Sequence, residues 1–283
     1  MEVDFLQKKL ARVVLFFLFL LIFIEVGSFL FFAGDYKYYS SLDSFPEIKT
    51  ETWYTENKTI IHATGGIDGL TYTNSQEALE NTINNGGKVI EIDFDYTSDG
   101  YLVCYHKPKD ISRYMKKEFT LEEFLSIKVK GKYTPMRIEE VIDIMEQNTE
   151  VYISVDTKHD DITEVVQDIV DACKNKEILN RFIIQCFYPG EKEKVSKIYD
   201  FPKDNYIFAA YKYSKNPFKV LKVCYEENYN VVAIKNGNWD EDILKLFDSK
   251  NIYVYLHTIN NPEIKAEVLC KGTYGIYTDF IFD

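Results

Sequence analysis

The sequence contains few cysteines, and none of them forms a closely spaced pair. Its five cysteines are scattered along 283 residues, at Cys104, Cys173, Cys186, Cys224 and Cys270. A zinc knuckle or a dithiol redox motif needs two cysteines separated by only a few residues, so this spacing excludes both. It also gives no connectivity for a disulfide, and we interpret the cysteines as mostly buried thiols.

The sequence also has fewer basic than acidic residues. The chain has 33 lysines and arginines against 45 aspartates and glutamates, for a net charge of −12 at pH 7. A field of this sign repels polyanions, which argues against nucleic acid as a partner. A substrate that carries phosphate would therefore need a local cation at its binding site.

A glycine-rich nucleotide-binding loop is missing from the position where one would be expected. After the first strand-like run the sequence continues His62-Ala63-Thr64-Gly65-Gly66, which matches neither of the common phosphate-loop spacings. This argues against an open doubly wound sheet, the main alternative fold, and no nucleotide, haem or flavin cofactor is indicated.

Eight short β-rich runs alternate with helix-length segments along most of the chain. The runs cover residues 59–61, 89–94, 151–155, 182–184, 206–209, 231–234, 252–255 and 275–277. Strands that alternate with helices are typical of a parallel sheet, and a single barrel domain of about 250 residues is ordinary. The pattern therefore predicts an α/β fold, a TIM (β/α)8 barrel.

The N-terminal region carries the one long apolar run. From Val13 to Phe32 the residues are almost wholly apolar, and about 20 such residues in a helix match the thickness of a bilayer. Basic residues precede this run (Lys8, Lys9 and Arg12), which predicts a cytoplasmic N-terminus and an extracytoplasmic remainder. The alternative is a cleaved signal peptide, although Phe31-Phe32-Ala33 lacks a small residue three positions before the cut.

These features predict four segments in a single-pass protein of the cell membrane. We expect a cytoplasmic N-terminus over residues 1–12, a transmembrane anchor over 13–33, a stalk over 34–58 and the barrel over 59–283. The stalk interpretation rests on a polar and aromatic composition, with Trp53 and Tyr54 counted among its interfacial aromatics.

Reactive side chains gather at the ends of the predicted strands, where a TIM barrel carries its chemistry. Three of the four histidines follow strand-like runs, at His62, His106 and His257. Glu91 and Asp93 are on the second run. The third run ends with Asp156 and Lys158.

The acidic residues suggest a cation site. Glu91 and Asp93 are two positions apart, so both carboxylates lie on the same face of their strand. Buried carboxylates are costly unless they are paired or bind a cation, and we favour the cation. Asp156 and Lys158 repeat the spacing, either as a structural ion pair or as a third ligand beside a phosphate-binding ammonium. Oxygen ligands favour Mg²⁺ or Ca²⁺.

Taken in order, these residues resemble the signature of the glycerophosphodiester phosphodiesterase family. That family belongs to a superfamily that includes phosphatidylinositol-specific phospholipase C. The matching pieces are His62, Asn74-Ser75, Glu91-Ile92-Asp93, Thr97-Ser98-Asp99-Gly100, His106, Asp156-Thr157-Lys158 and Thr278-Asp279. They span nearly the whole of the predicted barrel.

The sequence departs from the family pattern at four positions. Ala63 replaces the arginine that usually follows the first histidine, and Lys107 replaces an acid after the second. Asp156 stands where glutamate is commoner, and Thr73 where an acid usually precedes Asn74. The catalytic residue types remain, but the preferred phosphodiester is not implied. Lys107 and Lys158 are candidates to supply the missing positive charge.

The resemblance implies metal-dependent hydrolysis of a glycerophosphodiester. A divalent ion would bind Glu91, Asp93 and Asp156, and Lys158 would stabilise the transition-state phosphate. His62 and His106 would act as general acid and base, with neither role assigned to either residue.

Three further residues are expected to contact the substrate. Lys107, Gln185 and His257 are candidates by their positions, and a structural role for His257 is an equal alternative. His106 has its own alternative, as an edge residue on a loop.

Three functions fit the residues. The first is hydrolysis of glycerophosphodiesters derived from phospholipids or glycerol-phosphate polymers. The second is phospholipase C/D-like cleavage of lipid head groups, in which a lyase would stop at a cyclic phosphate. The third is a catalytically silent, membrane-anchored binding module, against which the five retained polar groups argue.

Overall fold

The structure is a computed structural model that describes residues 2–45, 51–106, 119–235 and 239–282. The chain forms two compact units, Met1–Asp43 and Ser44–Asp283.

The first unit is a single long helix, α1 (Glu2–Ser41). Its segment Phe17–Ser41 is long and apolar enough to cross a membrane. A signal sequence near an N-terminus has the same properties, so α1 is a candidate for either. The predicted transmembrane segment, 13–33, lies within this helix. The helix also continues to Ser41, into the region predicted as a stalk.

The second unit contains nine described strands. They are β1 (Thr59–Ile61), β2 (Val89–Tyr96), β3 (Leu102–Cys104), β4 (Tyr152–Thr157), β5 (Phe182–Cys186), β6 (Tyr206–Ala209), β7 (Val231–Lys235), β8 (Tyr253–His257) and β9 (Gly275–Thr278). Eight of them form a parallel sheet in the order β1-β9-β8-β7-β6-β5-β4-β2, and β1 also pairs with β2, which closes the barrel. Strand β3 adds an antiparallel edge to β2. The predicted TIM barrel and its eight strands are confirmed.

Helices cover the outside of the barrel. They are α3 (Gln76–Asn84), α4 (Leu121–Ser126), α5 (Ile138–Gln147), α6 (Ile162–Ala172), α7 (Glu191–Ser196), α8 (Pro217–Glu227), α9 (Glu241–Asp248) and α10 (Pro262–Cys270), and a one-turn helix, α2 (Trp53–Glu56), precedes β1. The apolar spacing of α6 explains its orientation, because the buried Ile162, Val165, Val166 and Ile169 recur every three or four residues on one face.

Helix α2 belongs to the folded domain and closes the amino-terminal end of the barrel. Trp53 and Tyr54, which we predicted in a stalk, are buried in the same cluster as Ile60 and Tyr255. The indole of Trp53 donates a hydrogen bond of 2.8 Å to the carbonyl of Asp204, and the Tyr54 hydroxyl donates to its carboxylate. These contacts correct the stalk assignment for both aromatics, because aromatic side chains beside a barrel pack into its open end as readily as they face a membrane.

Candidate active site

The register of the barrel brings the carboxyl ends of three strands together, β1, β2 and β4. Ile61 pairs with Ile90, so His62 follows β1 at the level of Glu91. Asp93 pairs directly with Asp156 on β4. The predicted carboxylates and the first histidine therefore lie side by side, as expected for the catalytic face of a TIM barrel.

The three acidic side chains are almost entirely removed from solvent, and two of them share one partner. Glu91 Oε1 accepts a hydrogen bond of 2.9 Å from the amide of Gln185. Asp93 Oδ1 lies 2.8 Å from the ammonium of Lys158, and Asp156 Oδ2 lies 2.6 Å from the same nitrogen. Lys158 thus bridges two of the carboxylates while keeping 23% of its side chain exposed.

Asn74 holds Asp93 from the side opposite Lys158. Its amide nitrogen donates 2.7 Å to Asp93 Oδ2, and its amide oxygen accepts from the Asp93 backbone N–H at 3.0 Å. The next residue, Ser75, caps α3 by accepting from the backbone N–H of Ala78. The Asn74-Ser75 step therefore fixes the Asp93 carboxylate and starts the first helix of the barrel domain after β1.

Burial and mutual repulsion dominate the electrostatics of the acidic residues. Burial, with a contribution from the Asp93 charge, raises the pKa of Glu91 to about 7. Burial also raises the pKa of Asp156 well above its usual value. Burial is the largest effect on Asp93 and opposes its ionisation, but Lys158, His106 and His62 together outweigh it and lower the Asp93 pKa. One ammonium does not compensate three buried carboxylates, so the site favours additional positive charge.

Two carboxylate oxygens that lack a hydrogen-bond donor among the described residues are suited to bind a divalent cation. Glu91 Oε2 and Asp156 Oδ1 accept no hydrogen bond from an N–H or O–H donor among the described residues. Burial and the neighbouring negative charges raise the pKa of both Glu91 and Asp156, so without a cation their protonated forms are favoured. A hard divalent ion would satisfy both oxygens without protonation, and the all-oxygen ligand set suits Mg²⁺ or Ca²⁺.

A second set of possible ligands shares Glu91. His62, Glu91 and His257 each offer an atom within 4.8 Å of the others. Burial and the proximity of His62 lower the pKa of His257 to about 3, so His257 is neutral at physiological pH, as a metal ligand must be. Nitrogen ligands would favour zinc over magnesium or calcium. The two sets therefore differ in the metal that they would select.

His62 is held by a carboxylate from the last strand. Its Nδ1 lies 2.7 Å from Asp279 Oδ1, and both side chains are buried. Asn260 in turn donates 2.6 Å to Asp279 Oδ2 and accepts from the Asp279 backbone N–H at 2.7 Å. An acidic partner on Nδ1 favours the tautomer that leaves Nε2 with its lone pair. That nitrogen lies 4.0 Å from Glu91 Oε2, on the side of the acidic residues.

Tyr72 connects the two predicted catalytic histidines. Its ring packs edge-on against His62, with centroids 4.5 Å apart, and against His106, with centroids 5.0 Å apart. His257 also packs edge-on against His62, with ring centroids 4.6 Å apart. The histidines predicted as His62, His106 and His257 therefore all border one site.

The remaining predicted contacts have separate outcomes. Lys107 lies outside the described residues. Gln185 is fully buried, and its amide donates to Glu91 and to the Ser154 hydroxyl, so its observed contacts orient a carboxylate. Its role as a substrate contact stays a prediction, as does that of His257.

Sequence reasoning missed Tyr72 and the partnership of Asp279 with His62. Local sequence contains no signal for the contact between Asp279 and His62. The contact depends on the register in which Ile61 pairs with Thr278, and that register is set only when the barrel closes. Tyr72 sits in a loop with a left-handed backbone, φ +56°, and loop tyrosines are common on any surface.

Comparison with known proteins shows the family to which the sequence is similar. The model of the glycerophosphoryl diester phosphodiesterase family matches residues 65–282, a range that begins just after His62. A glycerophosphodiester phosphodiesterase of Bacillus altitudinis is 23% identical over 235 residues, which cover 78% of this chain and 95% of that protein.

Solved structures share the fold. A glycerophosphodiester phosphodiesterase from Parabacteroides distasonis superposes with a TM-score of 0.61 at 19% identity, over 78% of this chain and 92% of that one. An Oleispira antarctica phosphodiesterase in complex with the product sn-glycerol-3-phosphate has a TM-score of 0.60 at 16% identity. The match covers 79% of this chain and 93% of that one.

Proposed function

This chain belongs to the glycerophosphoryl diester phosphodiesterase family, and we propose on that premise that Glu91, Asp93, Asp156, His62, His106 and Lys158 form its catalytic site. The chain is a phosphoric diester hydrolase. The observation that carries the residue assignment is the meeting of three buried carboxylates with a histidine whose Nδ1 is held by Asp279.

The proposed roles follow from charge and hydrogen bonding. Glu91, Asp93 and Asp156 hold a divalent cation, which supplies charge neutralisation for the phosphoryl oxygens when it is bound. Lys158, already beside Asp93 and Asp156, shares the carboxylates with the cation and offers its exposed side to the substrate phosphate.

The two histidines divide the proton transfers. Asp279 keeps the proton of His62 on Nδ1, so Nε2 accepts the proton of the attacking hydroxyl. The new bond joins the attacking oxygen to phosphorus, and the bond from phosphorus to the head-group oxygen breaks. His106, which packs against the Tyr72 ring, donates a proton to the departing alkoxide.

Glycerophosphodiesters are the proposed substrates, and the reaction is tested by its products. The full chain is incubated with glycerophosphocholine and with glycerophosphoinositol, and the phosphorus products are followed by NMR. Glycerol phosphate as the sole phosphorus product supports complete hydrolysis, whether water attacks the diester directly or opens a cyclic phosphate formed first. A cyclic phosphate that persists would support the lyase alternative, and no product from either substrate would contradict the proposed substrate class.

Replacing Asp279 with asparagine is expected to lower kcat on glycerophosphocholine about 100-fold with little change in KM. The amide offers His62 either a donor or an acceptor and no longer selects the tautomer that leaves Nε2 free. A positioning role predicts this split between kcat and KM, whereas general loss of structure would lower the amount of folded protein at unchanged kcat. The matched control is Asp99→Asn, an exposed aspartate. Equal kcat for Asp279→Asn and the parent chain would contradict the assignment.

We further propose that α1 anchors the protein in the cell membrane, with residues 1–12 in the cytoplasm and the catalytic domain outside. The support is the apolar segment Phe17–Ser41 and the basic residues that precede it.

The exposed Cys270 offers a reporter for this orientation, since the other four cysteines are buried. In intact cells expressing the chain, a membrane-impermeant maleimide is expected to label the protein, and the labelled protein is expected in the membrane fraction. The substitution Cys270→Ser is expected to abolish the labelling of this protein. Labelling only after lysis would contradict the orientation, and labelled protein in the medium would indicate a cleaved signal peptide.

A further inference from the structure

A cavity of about 460 Å³ opens beside the active site. Tyr72 and His106 form part of its wall, and the same Tyr72 ring contacts His62. A ligand in the cavity therefore has one end next to the proposed catalytic histidines. Its volume lies within the range of small-molecule binding pockets.

The floor of the cavity is aromatic and apolar. Tyr105 and Phe124 line it, and both rings pack against the buried Phe119, with centroids 5.1 and 5.3 Å away. Ile127 and Val129 continue the apolar lining towards the opening. Binding a hydrocarbon chain to such a surface is favourable because apolar area is buried. Binding a polyol such as inositol gains nothing from this effect.

Hydrogen bonds hold the loops that form the walls. Asp68 accepts from the Tyr133 hydroxyl at 2.7 Å and also pairs with Lys132, which joins the loop before Tyr72 to the loop after Val129. Glu77 accepts from both the backbone N–H and the hydroxyl of Thr134, each at 2.7 Å. The cavity is therefore built into the fold before any ligand arrives, which lowers the cost of binding.

The charge at the cavity decides which part of a phosphodiester it accepts. Among the described residues, the charged side chains in its lining are Lys128 and Lys130, apart from the titratable His106. Two ammonium groups repel the cationic head groups choline and ethanolamine. A hydrocarbon chain is tolerated, because lysine stems are themselves apolar and keep their charge at the water-facing end.

We infer that this cavity binds the acyl chain of a monoacylated glycerophosphodiester, so that lysophospholipids are substrates of the active site. The inference rests on the function proposed above and names a substrate class within it. The phosphodiester lies at the acidic residues and Lys158, and the chain extends past Tyr72 and His106 into the cavity. Water adds to phosphorus, the head-group alcohol leaves with a proton, and a monoacylated glycerol phosphate is the second product.

The test uses the full chain and glycerophosphocholines with acyl chains of increasing length, all below the concentration at which they form micelles. We expect kcat/KM to rise about fourfold for each added methylene until the cavity is full. A kcat/KM that is unchanged along the series, in an enzyme that hydrolyses glycerophosphocholine, would overturn the inference and leave the proposed function intact.

Two matched variants locate the effect. Ile127 lines the cavity and Leu125 does not, although both side chains are 43% exposed and two positions apart. Ile127→Asp is expected to flatten the chain-length dependence, and Leu125→Asp to keep the slope of the parent. Equal slopes in the two variants would overturn the assignment to this cavity.

Binding gives a readout that does not depend on turnover. Calorimetry with n-alkylphosphonates of increasing length, which the enzyme does not hydrolyse, is expected to show the same chain-length dependence in the parent and its loss in Ile127→Asp. Chain-dependent binding without turnover of any diester would support the cavity assignment while contradicting the proposed function. Binding independent of chain length would overturn the inference.

Discussion

Replacing His62 with asparagine is expected to lower kcat on glycerophosphocholine about 10³-fold, a size typical of losing a general base. Asparagine is close to histidine in size and keeps a polar group near Asp279, so the fold is expected to persist. It does not accept a proton near neutral pH, so the attacking hydroxyl loses its proposed general base. Steady-state kinetics of the two proteins under identical conditions measure the effect.

The matched control is the exposed His159, which pairs with Glu164 at 2.9 Å. His159→Asn removes the same chemical group from the same chain and is expected to leave kcat unchanged. A loss smaller than about tenfold for His62→Asn would be too small for a general base and would refute this role.

Replacing Glu91 with glutamine is expected to remove cation binding and to lower turnover by about 10³-fold, because the cation supplies several kcal/mol of charge stabilisation. In the parent chain, Mg²⁺ or Ca²⁺ at about 100 times its dissociation constant is expected to raise the Tm by about 5 °C through binding to the folded state. In Glu91→Gln this rise is expected to disappear.

The metal-free variant provides an internal check on folding. Burial and the Asp93 charge make the ionised form of Glu91 costly, as its raised pKa indicates. A neutral side chain of the same shape should therefore leave the metal-free Tm equal or higher. The exposed Glu193→Gln is the matched control for the change of charge. A full cation-dependent Tm rise in Glu91→Gln would contradict the assignment of Glu91 as a ligand.

The metal preference separates the two ligand sets that share Glu91. The carboxylate set, with Asp93 and Asp156, is expected to respond to magnesium or calcium. The alternative set, with His62 and His257, would respond to zinc. The same Tm measurements therefore report which group of side chains surrounds the ion.

The strands and the acidic residues could be predicted from local sequence. Strands that are buried on both faces read as continuous apolar runs, and all eight were located in this way. Glu91 and Asp93 were recognisable because two acids inside such a run contradict its burial. A period of two also places them on one face without knowledge of the tertiary structure.

The closure of the barrel could not be read from local patterns. Asp279 meets His62 across 217 positions of sequence, and only the pairing of β1 with β9 decides that these two residues face each other. The role of Asn260, which holds Asp279, depends on the same closure.

The stalk prediction is wrong for Trp53 and Tyr54, for a physical reason of another kind. Trp53 and Tyr54 have the amphipathic rings that suit a membrane interface, and the same rings suit the end of a barrel where one edge finds a polar partner. Asp204 supplies that partner through the fold. Composition alone does not distinguish the two environments.

The central claim is that buried carboxylates and a paired histidine at the barrel mouth perform metal-dependent phosphodiester hydrolysis. The most direct measurement strips the full chain of metal, adds back magnesium, calcium or zinc in separate samples, and follows the release of choline from glycerophosphocholine. We expect no turnover without metal, recovery with magnesium or calcium, and no recovery in His62→Asn or Glu91→Gln. Full turnover by the stripped chain, or recovery in either variant, would contradict the claim.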